Sequence, residues 1–148
     1  MTVYLRNISW SFTETWEDLI TFSEAVRQYQ MDIHQTDAHW DPDEMILGEP
    51  EIYIQYEAWI SSPAELLENE QFAQPRNLEA RSSGYYEAEI VARLTANNKA
   101  YFTACELLLK THHQLSSKEL GDHVFFEGFA LSQHPYHGKP LLVVRCGS

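Results

Sequence analysis

The sequence predicts an α+β domain: a mainly antiparallel sheet of about five strands with about three helices on one face, in the order β-α-β-α-β-α-β-β. Three observations lead there. Residues 102–146 read as a helix followed by two strongly apolar strands, so the chain closes on a hairpin. Residues 52–60 and 86–94 alternate apolar and polar side chains, the period of a strand with one buried face. Trp16, Leu19, Ile20, Ser23, Val26, Tyr29 and Ile33 recur at helical spacing, with Asp18 and Glu24 on the other face.

Val3 to Ser9 suggest a first strand, and Ser11 with Glu14, or Thr15 with Asp18, supplies a helix-start signal. From His34 to Pro50 the periodicity lapses. Within it Asp41-Pro42-Asp43-Glu44 has the form of one short helical turn, Asp41 as cap, Pro42 in the first position and Gly48 closing it. Ile52, Ile54, Tyr56, Ala58 and Ile60 form the buried side of the next strand. Ser62-Pro63-Ala64-Glu65 then opens a second short helix reaching about Phe72. Residues 73–84 hold Pro75, Ser82, Ser83 and Gly84 and read as a connection, and a third strand follows, closed by Asn97-Asn98. At the last helix Thr103 caps, Glu106 returns the bond, Phe102 staples onto Leu107, and Gly121 marks the limit. Strands at 122–131 and 141–146 complete the chain. At 148 residues this is one domain, 1–148, long enough to bury about 68–70% of its unfolded surface.

Charge is the most informative global property. The net charge of −12 is unevenly placed: residues 1–75 carry fifteen acids against Arg6 and Arg27, while residues 76–148 carry seven acids against eight bases. Such a field repels nucleic acid and anionic membranes, attracts cationic partners and speeds their encounter. With two cysteines, no charged start followed by an apolar run, and no span-length apolar segment, the expected compartment is a reducing cytoplasm.

Sites of chemistry are weakly signalled. Asp32, His34, Asp37, His39, Asp41, Asp43 and Glu44 are of ligand type, but His34 and His39 would stand about 140° apart on a helix, and no His-x-x-x-His or Cys-x-x-Cys pair anchors a metal; none is expected, nor any other cofactor. Cys105, in the first turn of its helix, could gain acidity from the backbone dipole and work with His123, His134 or His137, giving a small hydrolase or transferase; the bland alternative is a buried thiol. Glu87 and Glu89 share a strand face with Glu57 on another strand, and catalytic use of them would require a cleft and shifted acidities. Tyr85, Tyr86, Phe125 and Phe126 lack the basic groove of a base-stacking platform.

What remains is a docking surface: carboxylates for steering and an aromatic for anchoring. Asp32, Asp37, Trp40, Asp41, Asp43, Glu44, Glu49 and Glu51 are the expected contributors, with Trp40 as anchor, gathered on one side of the molecule. Phe102-Thr103-Ala104-Cys105-Glu106-Leu107-Leu108, Leu120 to Gly128, Gly138-Lys139-Pro140 and Cys146-Gly147-Ser148, within residues 84–148, resemble the closing segment of small bacterial proteins associated with immunity to polymorphic and contact-dependent toxins. That resemblance implies a small, acidic, cytoplasmic protein that acts by occluding the basic active site of a toxin, a nuclease above all, rather than by catalysis. A structural or assembly subunit, seen as a stable homo-oligomer, is the third reading.

Overall fold

The two segments with the cleanest alternation form the longest ladder of the molecule, and the other elements are arranged around it. The computed structural model describes residues 1–73 and 84–148. In chain order these form β1 (Val3–Tyr4), β2 (Trp10–Ser11), α1 (Leu19–His34), β3 (Met45–Leu47), β4 (Glu51–Ile60), a 3-10 turn (Pro63–Glu65), β5 (Glu70–Phe72), β6 (Tyr86–Thr95), β7 (Phe102–Thr103), α2 (Ala104–Ser116), β8 (Phe125–Leu131) and β9 (Leu141–Gly147). β4 and β6 pair from Glu51↔Thr95 to Ile60↔Tyr86.

Among the described residues the main sheet has seven strands, in the order β1-β8-β9-β4-β6-β5 with β2 also on β8, and β3 pairs with β7 in a separate ribbon. The class is α+β as expected; the sheet, expected mainly antiparallel with about five strands, is mixed, with one parallel pairing among antiparallel ones, and the described α-helices are two where about three were expected. The one parallel pairing joins Tyr53–Gln55 to Leu141–Val143, and it follows from the connection made by α2. A helical crossover returns the chain in the same direction, so β8 points as β6 does. β9, antiparallel to β8, therefore runs opposite to β6 and alongside β4 in the same sense.

Several local expectations need correction. The strand expected over Val3–Ser9 stops at Tyr4, where Leu5 takes a left-handed conformation (φ 54°), and a second short strand, Trp10–Ser11, lies beyond it; both pair with β8. There Gly128 (φ 107°) makes the close approach possible, since a Cβ would stand 2.9 Å from Val3 Cγ1. α1 starts at Leu19, capped by Asp18, whose carboxylate accepts from Thr21 N–H at 2.8 Å, so Trp16 precedes it. The Asp41–Glu44 turn forms without a helix: Asp41 accepts from the N–H groups of Asp43 and Glu44, and β3 follows directly. Ser62 and Glu65 make the expected capping box, yet the helix lasts only to Glu65, and residues 70–72 join the sheet edge instead. Thr103 caps α2 and the helix stops at Ser116, before Gly121 as expected, but the Glu106 carboxylate bonds Asn97 N–H (2.7 Å) and Lys110 (2.7 Å) rather than returning to Thr103. The connection read at 73–84 lies, but for its ends, outside the described residues.

The core sits between the sheet and the helices. Ile52, Ile54, Tyr56, Ala58 and Ile60 of β4 and Ala88, Ile90, Ala92 and Leu94 of β6 are buried together with Leu107, Leu108 and Leu115 of α2. Two polar clusters lie within it. His112, fully buried, accepts from the Trp10 indole N–H at 3.0 Å and donates through Nε2 to the Glu14 carbonyl, holding the N-terminal segment on α2. Burial keeps its pKa below the ordinary histidine value. Lys118 and Glu70 form an ion pair at 2.8 Å whose side chains are almost wholly inaccessible. Glu70 also accepts from Tyr56 O–H and from Leu67 N–H, and Gln114 links Tyr56 to Asn69.

Candidate functional site

The residue run Asp41–Glu44 is held in place by its backbone. Cys105 N–H donates to the Pro42 carbonyl (3.1 Å) and Ala104 N–H to the Glu44 carbonyl (2.8 Å), so the loop covers the N-terminus of α2 and satisfies donors that would otherwise face solvent. Trp40 fastens the other side, its indole N–H on the Ser23 carbonyl at 3.2 Å. Between this loop and the start of α1 lies a groove of about 300 Å³ lined by Leu19, Ile20, Glu24, Pro42, Asp43 and Cys105, among others. Its rim is apolar as well as acidic: Ile20 is 79% exposed, and Met45, paired with the groove residue Thr103, is 58% exposed.

The eight residues expected at a docking surface do not converge on one spot. Asp43 lines this groove, and Asp41 and Glu44, its neighbours in the loop, are exposed beside it. Asp37 is drawn into an ion pair with Arg27 (2.9 Å), which also meets Glu24 (3.5 Å), and Glu51 is paired with Arg93 (2.9 Å). Glu49 is exposed between β3 and β4, and Asp32 lies near the far end of α1, where it accepts from Gln28 at 2.9 Å. Trp40 is only 4% exposed and is a core residue, not the expected exposed anchor. The sequence signal missed here was Ile20: its helical spacing put it with the buried face, whereas α1 buries only Phe22, Val26 and Gln30.

The thiols are poorly suited to nucleophilic work. Burial, with Asp43 and Glu106 nearby, pushes Cys105 up to about 11, and its S–H donates to the Leu19 carbonyl at 3.5 Å. The loop carbonyls already occupy the α2 N-terminus, which removes the expected dipole effect. Among the described residues, none lining its groove is a histidine. Cys146 is raised to about 12 by burial and by Glu127. His34 bonds Ser9 Oγ at 2.9 Å, and among the described residues no group of three or more His, Cys, Asp or Glu is placed to hold a metal ion.

The glutamates of the strands do acquire a cleft. The β4–β9 ladder stops at Gln55↔Val143, after which the strands part and the segment at Glu119 bridges Trp59 instead. The resulting cavity, about 450 Å³ on the sheet face away from the helices, is lined by Glu57, Trp59, Glu87, Glu89, His123 and Cys146, among others. Partial burial, a hydrogen bond that protonated Glu57 donates to Glu87, and the charges of Glu87 and Glu89 raise the Glu57 pKa, while His123 opposes the shift. Glu57 thus holds its proton more readily than a separate carboxylate would. The cleft can hold a proton or receive a cation.

Comparison with family models, curated proteins and solved structures finds no match to this chain. Among the described residues, no helix is long and apolar enough to cross a membrane.

Proposed function

We propose that the protein acts by binding a basic protein partner, and that it is a cytoplasmic immunity protein occluding a toxin, in the first place a nuclease. The observation that carries the reading is the groove beside α1, lined by exposed Ile20 with Glu24, Arg27 and Asp43, next to which the chain exposes Asp41, Glu44 and Met45. Apolar side chains amid carboxylates give a docking surface both parts it needs: desolvated contact for affinity and charge for steering. Arg27 also lines the groove and offsets Glu24, so the steering charge comes from Asp43 and the neighbouring Asp41 and Glu44. Arg27, Arg93, Lys110 and Lys118 are engaged by Glu24 and Asp37, Glu51, Glu106 and Glu70. Ile20 and Met45 take the anchoring role first read into Trp40.

The test is capture of partners from the source cell at low and high salt, followed by binding kinetics and co-expression with the captured protein. The expected result is a basic protein retained at low salt, rescue of growth when it is toxic, and an Asp41→Lys, Asp43→Lys, Glu44→Lys variant that associates at least tenfold more slowly, with a flatter salt dependence and an unchanged Tm. Retention of no basic protein, or unchanged kinetics in the triple variant, overturns the proposal.

A further inference from the structure

At the opposite end of α1 from the groove the fold builds a second cavity, of about 350 Å³, with a different lining. Three aromatic rings shape it: Trp10, buried, is the floor, and half-buried Trp16 and Tyr29 are the walls. Trp10 lies 6.2 Å from Trp16 and 5.4 Å from Tyr29, centroid to centroid, at interplanar angles of 53° and 66°. Ser11, Thr13, Glu14, Ala25, Gln28 and Asp32 also line it, with Gln28 Nε2 donating to one Asp32 oxygen at 2.9 Å. The rings are fixed in position by the core. Trp10 is held by His112, and the Trp16 carbonyl accepts from His113 at 2.6 Å. Among the described residues, no basic residue lines this cavity.

From this arrangement we infer that the Trp10–Trp16–Tyr29 cavity receives an arginine side chain of the basic partner. The inference rests on the docking proposal for the source of that side chain. Indole and phenol rings present negative faces to a cation, and partial desolvation strengthens the attraction. A guanidinium is planar, so it stacks on a tryptophan while its edge donates to a carboxylate, here Asp32 or Glu14. An uncharged apolar side chain would satisfy the rings and leave those carboxylates without a counter-charge. An anion would meet two carboxylates and the negative faces of the rings. Asp32, which stands apart from the groove acids, thereby gains a role of its own: it orients a cation at a second point of contact.

Titration of the full chain with N-acetyl-arginine amide, followed through the indole N–H resonances of its four tryptophans, tests the assignment. Trp10 and Trp16 are expected to shift saturably while Trp40 and Trp59 stay in place, and an Asp32→Asn, Glu14→Gln variant should need at least tenfold more ligand. An equal response to N-acetyl-norleucine amide, or an unchanged midpoint in the double variant, overturns the inference. A stronger response to tetramethylammonium chloride than to arginine amide overturns it in favour of a small ammonium ligand. Failure of the docking proposal is distinguishable. A response to arginine amide with no basic protein retained from the cell removes the partner and keeps the cation site. A basic protein retained equally by wild type and double variant removes this cavity from the interface and keeps the groove.

Discussion

The two helices have similar sequences in the physical sense and opposite fates in the fold. α2 buries ten of its thirteen residues, including Glu106, His112 and Gln114, whereas α1 buries three of sixteen. Apolar periodicity does not explain the contrast, because both carry an apolar face of comparable strength. Position does. α2 lies on β4, touches the β3–β7 ribbon and is covered by α1, so it is enclosed on several sides; α1 is the outer layer and meets the rest mainly along the row Phe22, Val26 and Gln30. A helix enclosed on several sides satisfies most of its buried polar groups internally, as His112 and Gln114 do, with Thr111 Oγ1 the exception. One covered on a single side leaves apolar residues such as Ile20 for other contacts.

The sharpest way to break the comparison is to damage α2 and its surroundings. Leu108→Ala should cost about 2–5 kcal/mol, because a fully buried side chain leaves a cavity the enclosed helix cannot collapse into; urea denaturation measures it. Glu70→Gln should cost about 3 kcal/mol by leaving the Lys118 ammonium buried without its carboxylate, while Glu70→Leu with Lys118→Met should recover most of the loss. Full stability in the single variant would mean that the pair opens to water.

A pH titration probes the same contrast with a smaller effect. His112 has a depressed folded pKa, so the unfolded chain binds the extra proton first. Stability should therefore fall as pH drops from about 6.5 toward the folded value, and level off below it. Glu57, raised above its ordinary value, works in the opposite direction as pH rises from 4.5, its stabilising proton being lost. Comparing wild type with His112→Phe across pH 4 to 8 separates the two, since only the histidine contribution should disappear. The smallest effect belongs to the outer layer. Ile20→Ser and Met45→Ser should shift stability by no more than about 0.5 kcal/mol, and a loss several times larger would show that these side chains serve the fold rather than a partner.

How much of this was legible in the sequence depends on how local the deciding interaction is. The Thr103 cap, the Ser62–Glu65 capping box and the alternation of β4 and β6 are set by residues within one turn or one ladder rung, and the structure has them. The parallel β4–β9 pairing joins residues nearly ninety positions apart and follows from the path of α2, which no window of sequence contains. Glu106 had two suitable donors, and Lys110 with Asn97 outcompeted the reciprocal cap. Trp40 sits in a polar, irregular stretch and reads as exposed; only the nearness of Ser23 on α1 shows that it is core. For the site, the charge asymmetry was visible from composition and the cleft around Glu57 was a stated condition. Which carboxylates stay exposed was not visible, because Arg27 and Arg93 choose their partners in three dimensions.

The loop over α2 is tied down through the carbonyls of Pro42 and Glu44, groups that every amino acid possesses. Side-chain identity at Asp43 and Glu44 is thereby uncoupled from the integrity of the helix beneath. Such a surface can be rewritten letter by letter, changing which molecule it recognises, while the scaffold carrying it keeps the same shape.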